Sequence, residues 1–306
     1  MIRVGLVNMD TSHPRAFAEV MKKTGRIGYH AIYDDSFRTP EEIDGFIKEY
    51  GLVKRCSQLE ELVEISDVGF IQGCDWDKHL SYAEAFLRKG KPVFIDKPLV
   101  GCLEDCRRIL EWADSGAVIL GASSTRYASE ILDFLKIPVT ERGEVLTVYG
   151  SVGVDEFNYG IHVVEAVGGI LGAGAEWVDF IGRGEAQNRV SFSYAIGFRN
   201  GKNAIFTIAE GNWQPFTLQI VTTKSTYQLN LNPENLYEGL INQICNCLEK
   251  KDNHMANPEE LVESIEIMIA AAKSRHIGKR VYLKKMDEYY KPYDGRAFWE
   301  NYQKSY

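Results

Sequence analysis

Ile2-Arg3-Val4-Gly5-Leu6-Val7-Asn8-Met9-Asp10-Thr11-Ser12-His13-Pro14 opens the chain with a short apolar run followed by a polar turn. The run reads as a buried strand. Residues 14–24 read as a helix, because Phe17, Val20 and Met21 recur at helical spacing, Pro14 suits a first turn and Gly25 a stop. The unit then repeats. Strands are expected at 29–33, 68–72, 93–95 and 118–120, and helices at 40–50, 59–65, 80–89 and 103–115. Strand–helix–strand units with short connections imply a parallel sheet covered on both faces. Such a doubly wound sheet takes its ligands at the carboxyl ends of its strands.

Past residue 124 the pattern changes. Helices are expected at 129–135 and 159–171 and a strand at 144–151. Extended segments follow at 176–182, 190–198, 204–210, 216–222 and 226–231, with turns such as Arg199-Asn200-Gly201-Lys202, and these read as an antiparallel meander. Two helices close the set, one opened by Asn232-Pro233 and one by Asn257-Pro258-Glu259-Glu260 with an Asn cap, Pro at the first position and Glu at the third. The expected organisation is α/β over residues 1–123 and α+β over residues 124–306.

Composition narrows the function. Among 306 residues, 35 Lys and Arg stand against 43 Asp and Glu, a net charge of −8 that argues against a nucleic-acid partner. No apolar stretch is long enough to span a membrane, and the N-terminus does not read as a secretory signal. Six cysteines without a C-x-x-C pair read as buried thiols, so a cytoplasmic location is expected. The 27 glycines would suit a nucleotide loop, yet after Gly5 the next one is Gly25.

The most distinctive motif is Gly90-Lys91-Pro92-Val93-Phe94-Ile95-Asp96-Lys97-Pro98-Leu99. A strand delivers Asp96 and Lys97 to its carboxyl end. A lysine there can hold a substrate hydroxyl and shift its proton, since burial readily lowers a lysine pKa. A solvent-facing lysine beyond a core strand fits the spacing equally well.

This segment resembles the Glu-Lys-Pro motif of the Gfo/Idh/MocA family, the glucose-fructose oxidoreductases and inositol dehydrogenases, with Asp96 in place of Glu. His79 and Ala83 resemble the family's His-x-x-x-Ala. Arg126-Tyr127 resembles its Arg-aromatic element, Asn158-Tyr159-Gly160-Ile161-His162 its Asp-x-Gly-x-His, and residues 278–283 its terminal strand. The resemblance implies a Rossmann dinucleotide-binding domain over 1–123, and a substrate and oligomerisation domain over 124–306 with an open, mainly antiparallel sheet. It implies hydride transfer between NAD or NADP and a carbinol carbon of a sugar or polyol. Lys97 and His162 would flank the reacting hydroxyl, with Asn158 at the position of the family's Asp. Arg126 and Asp155 join these three in the expected substrate pocket. A homo-oligomer formed through the C-terminal sheet is also implied.

Cofactor contacts are expected from Asn8, Thr11, Ser12 and His13 in the first turn, and from Asp34 after the second strand, placed to accept ribose hydroxyls. Cys74, Trp76 and His79 in the loop after the third strand, with Asp96 and Lys97, complete the set. Asp35 adds a second negative charge, which favours NAD over NADP, while Arg38 leaves an opening for NADP. Several of these residues have ordinary readings. Ser12 or His13 caps the helix, Trp76 fills a domain interface, and His79 fixes a helix start.

Departures from the family pattern keep a rival open. The turn lacks glycines, and Asn158 cannot ionise, so a binding or regulatory protein without catalysis is the alternative. No resident metal is expected, although His13, Asp155 and His162 could serve a metal-assisted lyase. The aromatic stretch 289–306 is expected to pack on the chain itself or on a partner subunit.

Overall fold

The opening apolar run becomes β1 (Ile2–Val7), fully buried over its last four residues. The computed structural model describes residues 1–305. After β1 come α1 (His13–Thr24), β2 (Ile27–Tyr33), α2 (Pro40–Tyr50), β3 (Lys54–Cys56), α3 (Leu59–Ile65), β4 (Val68–Ile71), α4 (His79–Leu87), β5 (Val93–Ile95), α5 (Leu103–Asp114) and β6 (Ile119–Leu120). The six strands are parallel, in the order β3-β2-β1-β4-β5-β6. Strand order therefore reverses between β1 and β4, which opens a crevice above the carboxyl end of β1. The edge strand β3 has no counterpart in the sequence reading. Its Lys54-Arg55-Cys56 carries no apolar run, and pairing to β2 alone makes it a strand.

Local signals decide the helix ends. Gly25, Gly51 and Gly278 each take a left-handed φ at a helix C-terminus. Capping boxes built by Thr39 with Glu42 and by Asn257 with Glu260 start α2 and the long helix Pro258–Ile277. Gly69 in β4 permits close helix packing, because a Cβ there would lie 2.7 Å from Phe86 of α4.

The second half comprises α6 (Ser129–Lys136), α7 (Val139–Arg142), β7 (Val145–Val154), α8 (Gly160–Leu171), β8 (Ala175–Ala186), β9 (Arg189–Phe198), β10 (Asn203–Glu210), β11 (Thr217–Thr222), β12 (Thr226–Asn230), α9 (Leu236–Leu248), α10 (Pro258–Ile277), β13 (Val281–Tyr282) and α11 (Gly295–Gln303). Its sheet runs β12-β11-β7-β10-β9-β8-β13. The expected meander is modified in one respect. β7 inserts between β10 and β11 and pairs parallel to β10, so the sheet is mainly, not wholly, antiparallel. Neighbouring strands in sequence need not be neighbours in space, and no local pattern reports such an insertion.

Helices α8 and α10 cover one face of this sheet, over a core that includes Tyr194 stacked on Phe206 with ring centroids 5.0 Å apart. The other face carries small and hydroxyl side chains. Ser193 bonds Thr207 across the strands at 2.8 Å, Ser151 bonds Thr217 at 3.1 Å, and Tyr149 stands exposed among them. The two halves meet where α9 lies on α1 and α10 on α5.

Candidate active site at the sheet edge

Three strand ends of the parallel sheet and the start of α1 deliver polar side chains to one place. β5 ends in Asp96 and Lys97, followed by a cis peptide bond to Pro98. Asp96 is buried, and its Oδ1 accepts the backbone N–H of Lys97 at 2.8 Å. Its Oδ2 meets His13 Nδ1 at 2.7 Å and accepts an N–H of Gln72, just past β4, at 3.2 Å. Burial alone would raise the Asp96 pKa. The charge of His13, its hydrogen bond and Lys97 outweigh burial and hold Asp96 down at about 2. On its other side His13 touches the Tyr237 ring of α9 edge-on, with centroids 5.5 Å apart.

Lys97 is the central group. Its Nζ donates to Asn158 Oδ1 at 2.8 Å and to the Asn158 carbonyl at 3.3 Å, and it lies 5.5 Å from the centre of the Tyr159 ring. Burial pushes its pKa down, and the charges of Asp96 and Asp155 only partly oppose this. Asp155 supports the arrangement from behind. Its Oδ1 accepts the Tyr159 N–H at 3.2 Å, and its Oδ2 accepts the Asn158 side-chain N–H at 3.5 Å.

His162 lies in the first turn of α8. Its Nδ1 is 2.5 Å from Ser123 Oγ, its carbonyl accepts the Thr125 hydroxyl at 2.7 Å, and its ring meets Tyr159 at 5.4 Å. Burial, then the charges of Lys97 and His13, drives its pKa well below that of a free imidazole, so the ring is neutral at physiological pH. Lys97, Asn158, Asp155 and His162 thus gather into one cluster with His13 and Asp96. Ser123, Gln72, Tyr159 and Tyr237 belong to it too. None of these four was singled out from the sequence. Ser123 follows a strand, as site residues in this fold do, but Tyr237 arrives from a distant helix with no local signal.

Arg126 lies elsewhere. Its side chain is buried between Glu165, at 3.3 Å, and Glu260, at 2.9 Å. Burial raises Glu165 to a pKa of about 7 despite the arginine beside it.

The first turn keeps a left-handed residue without glycine. Asn8 adopts φ of 64°, a conformation Asn tolerates better than most side chains. Its amide bonds Asp35 in both directions, donating to Oδ1 at 3.0 Å and accepting the Asp35 N–H at 3.1 Å. Asp34 accepts the Met9 N–H at 2.8 Å and the Ser36 hydroxyl at 2.7 Å, and burial raises its pKa. Arg38 donates to the carbonyls of Met9 and Asp10 and pairs with Glu42 at 3.1 Å. Asp10 turns inward, where its Oδ2 accepts the Cys74 N–H at 2.9 Å. Thr11 Oγ1 accepts the His13 N–H at 3.2 Å, and Ser12 precedes α1 without a side-chain cap bond.

In the loop after β4, Cys74 is buried, and burial raises its thiol pKa. Trp76 is buried against Phe157 and Phe298. His79 ties two backbone segments together, its Nδ1 at 3.0 Å from the Leu99 carbonyl and its Nε2 at 2.8 Å from that of Gly73. Among the described residues, no three His, Cys, Asp or Glu side chains are grouped so as to hold a metal ion. The described residues also include no helix long and apolar enough to cross a membrane.

The strand order β3-β2-β1-β4-β5-β6, with its switch point between β1 and β4, is that of a Rossmann-type doubly wound sheet, and a second, mainly antiparallel sheet follows it. Residues 2–123 match the profile of the oxidoreductase family with an NAD-binding Rossmann fold, Gfo/Idh/MocA. An inositol 2-dehydrogenase of Klebsiella pneumoniae is 28% identical over 109 residues, a match covering 35% of this chain and 31% of that protein. The chain therefore matches about a third of the length of this curated relative. The fold extends further. An apo scyllo-inositol dehydrogenase from Lactobacillus casei superposes with a TM-score of 0.77 at 15% identity, over 93% of this chain and 99% of that one. GenD2 from gentamicin A biosynthesis, in complex with NAD, superposes with a TM-score of 0.75 at 17% identity, over 94% and 96%.

Proposed function

We propose that the protein is a nicotinamide-dependent dehydrogenase that oxidises or forms a CH–OH group of a polyol or sugar. The observation that carries the reading is Lys97, buried at the end of β5 with only the neutral oxygens of Asn158 as its hydrogen-bond acceptors. A lysine desolvated in this way is costly to the fold and poised for proton exchange with a hydroxyl. A protein that merely binds a ligand has no use for that arrangement, so the catalytic reading is preferred to the non-catalytic one.

Substrate lies between the carboxyl ends of β5 and β6 and the start of α8. Lys97 holds the reacting hydroxyl oxygen. His162, neutral and fixed through Nδ1 by Ser123, takes the hydroxyl proton at Nε2 and shares it with Lys97. Asn158 cannot ionise, so it acts by orienting Lys97, and Asp155 in turn orients Asn158. The dinucleotide supplies the hydride acceptor or donor. Its pyrophosphate would approach the turn at Thr11, Ser12 and His13, its adenosine ribose Asp34, and its nicotinamide end Asp96, Cys74 and Trp76.

The donor set suits NAD better than NADP. Asp34 and Asp35 both flank the ribose position, and Arg38 is already engaged with Glu42 and two carbonyls. The six free thiols are in keeping with a cytoplasmic protein. The test is NAD reduction across inositols, other polyols and sugars. At least one should be turned over, with Lys97→Ala losing about 10²-fold or more in kcat. Turnover unchanged in that variant would remove Lys97 from the chemistry, and no turnover together with no NADH binding would remove the reading itself.

A further inference from the structure

The last helix does not extend away from the domains. It lies across the crevice above β1. Lys291 Nζ pairs with Asp77 Oδ1 at 2.9 Å, and the Gly295 N–H donates to Asp77 Oδ2 at 3.0 Å. Gly295 approaches so closely that a Cβ there would lie 2.8 Å from the backbone nitrogens of Trp76 and Asp77. These contacts anchor the start of α11 to the loop after β4. Phe298 then packs on Trp76 at 5.0 Å, while Trp299 and Tyr302 meet Phe37, just past β2, at 5.6 and 6.4 Å. Because β1 lies between β2 and β4 in the sheet, the aromatic stripe of α11 spans the switch point.

Two buried polar atoms in the loops beneath α11 have no hydrogen-bond partner, Asp10 Oδ1 in the first turn and Trp76 Nε1, which lies against Gly101. Orphaned atoms of this kind are uncommon because desolvation goes uncompensated. The outer face of α11 is open to solvent. The capping Asp294 of α11 and its Arg296 and Glu300 face solvent, and Tyr289 shortly before it is 85% exposed.

We propose that α11, residues 295–303, occupies the dinucleotide crevice in competition with the cofactor, so that binding requires α11 to leave. The inference rests on the reading of that crevice as a nicotinamide-dinucleotide site. A competing segment lowers the apparent affinity by the fraction of molecules with the crevice open.

NADH fluorescence titration tests it on three proteins: the full chain, a chain ending at Asp294, and the full-length double variant Phe298→Ala, Trp299→Ala. Both altered proteins should bind NADH at least about tenfold more tightly than the full chain. Should the shortened chain fail to fold, the double variant decides. Equal affinity in the folded proteins, or weaker binding in the altered ones, overturns the competition while leaving the dinucleotide reading intact. Absence of NADH binding by every folded protein overturns both. Amide hydrogen exchange gives a second readout in the full chain. Exchange over 295–303 should quicken on saturation with NAD, and unchanged or slower exchange overturns the proposal.

Discussion

Lys97 and Arg126 look alike in the sequence, each a cation after a strand beside a recognisable motif, and they have different fates. Lys97 faces two neutral oxygens and is destabilised by burial; Arg126 is held by two carboxylates. Their variants should behave oppositely. Lys97→Met should abolish turnover yet leave Tm unchanged or higher, because an unpaired buried charge is removed; thermal unfolding alongside an activity assay checks this. Arg126→Met should cost about 3–5 kcal/mol of stability by leaving Glu165 buried without its partner. NADH affinity of the folded fraction should not change. Denaturant unfolding and NADH titration separate the two effects, and a selective loss of substrate binding would return Arg126 to the pocket. The motif residues were legible because their type and spacing are local. Their partners were not, since Ser123, Gln72 and Tyr237 meet them only through the fold.

Among the elements, α10 is the clearest case of local rules and tertiary placement acting together. Its capping box and terminal glycine are written in the sequence. Burial against α5 and β8 is not, and it raises Glu266 to a pKa of about 7, with Glu263 adding to the shift. A carboxyl whose folded pKa lies above its unfolded value favours the folded state when protonated, and that contribution is lost as pH rises from about 4.5 to 7. Glu266→Gln should therefore raise Tm at pH 8 and have little effect near pH 4, as a pH series of melting curves would reveal. Helix α9 depends on a different constraint. Gly239 sits against the Tyr127 carbonyl, where a Cβ would lie 2.0 Å away. Gly239→Ala improves helix propensity, yet it should destabilise by about 1–3 kcal/mol through the clash, measurable by chemical denaturation. The sheet of the second half shows the same division. Its strands were readable from alternation, but the insertion of β7 beside β10 was not.

Across the molecule, the face of the second sheet turned away from α8 and α10 carries small and hydroxyl side chains around Tyr149. We propose that copies of the chain associate through it. Light scattering should then report a mass above that of one chain, and Tyr149→Glu should lower it. A monomer in the unaltered protein would remove this role for the sheet. The strand–turn–helix succession, the helix caps and the Asp96-Lys97 motif were all fixed by residues close together in the chain, because periodicity, turn chemistry and capping act over a few positions. The glycine-poor first turn was also legible, as an anomaly. Only the tertiary structure revealed its resolution, with Asn8 taking the left-handed position and Asp34, Asp35 and Arg38 holding the turn. It likewise brought His13 to Asp96 and laid the C-terminal helix over the crevice. These contacts join residues tens to hundreds of positions apart, where packing between whole elements, and no local pattern, decides which side chains meet.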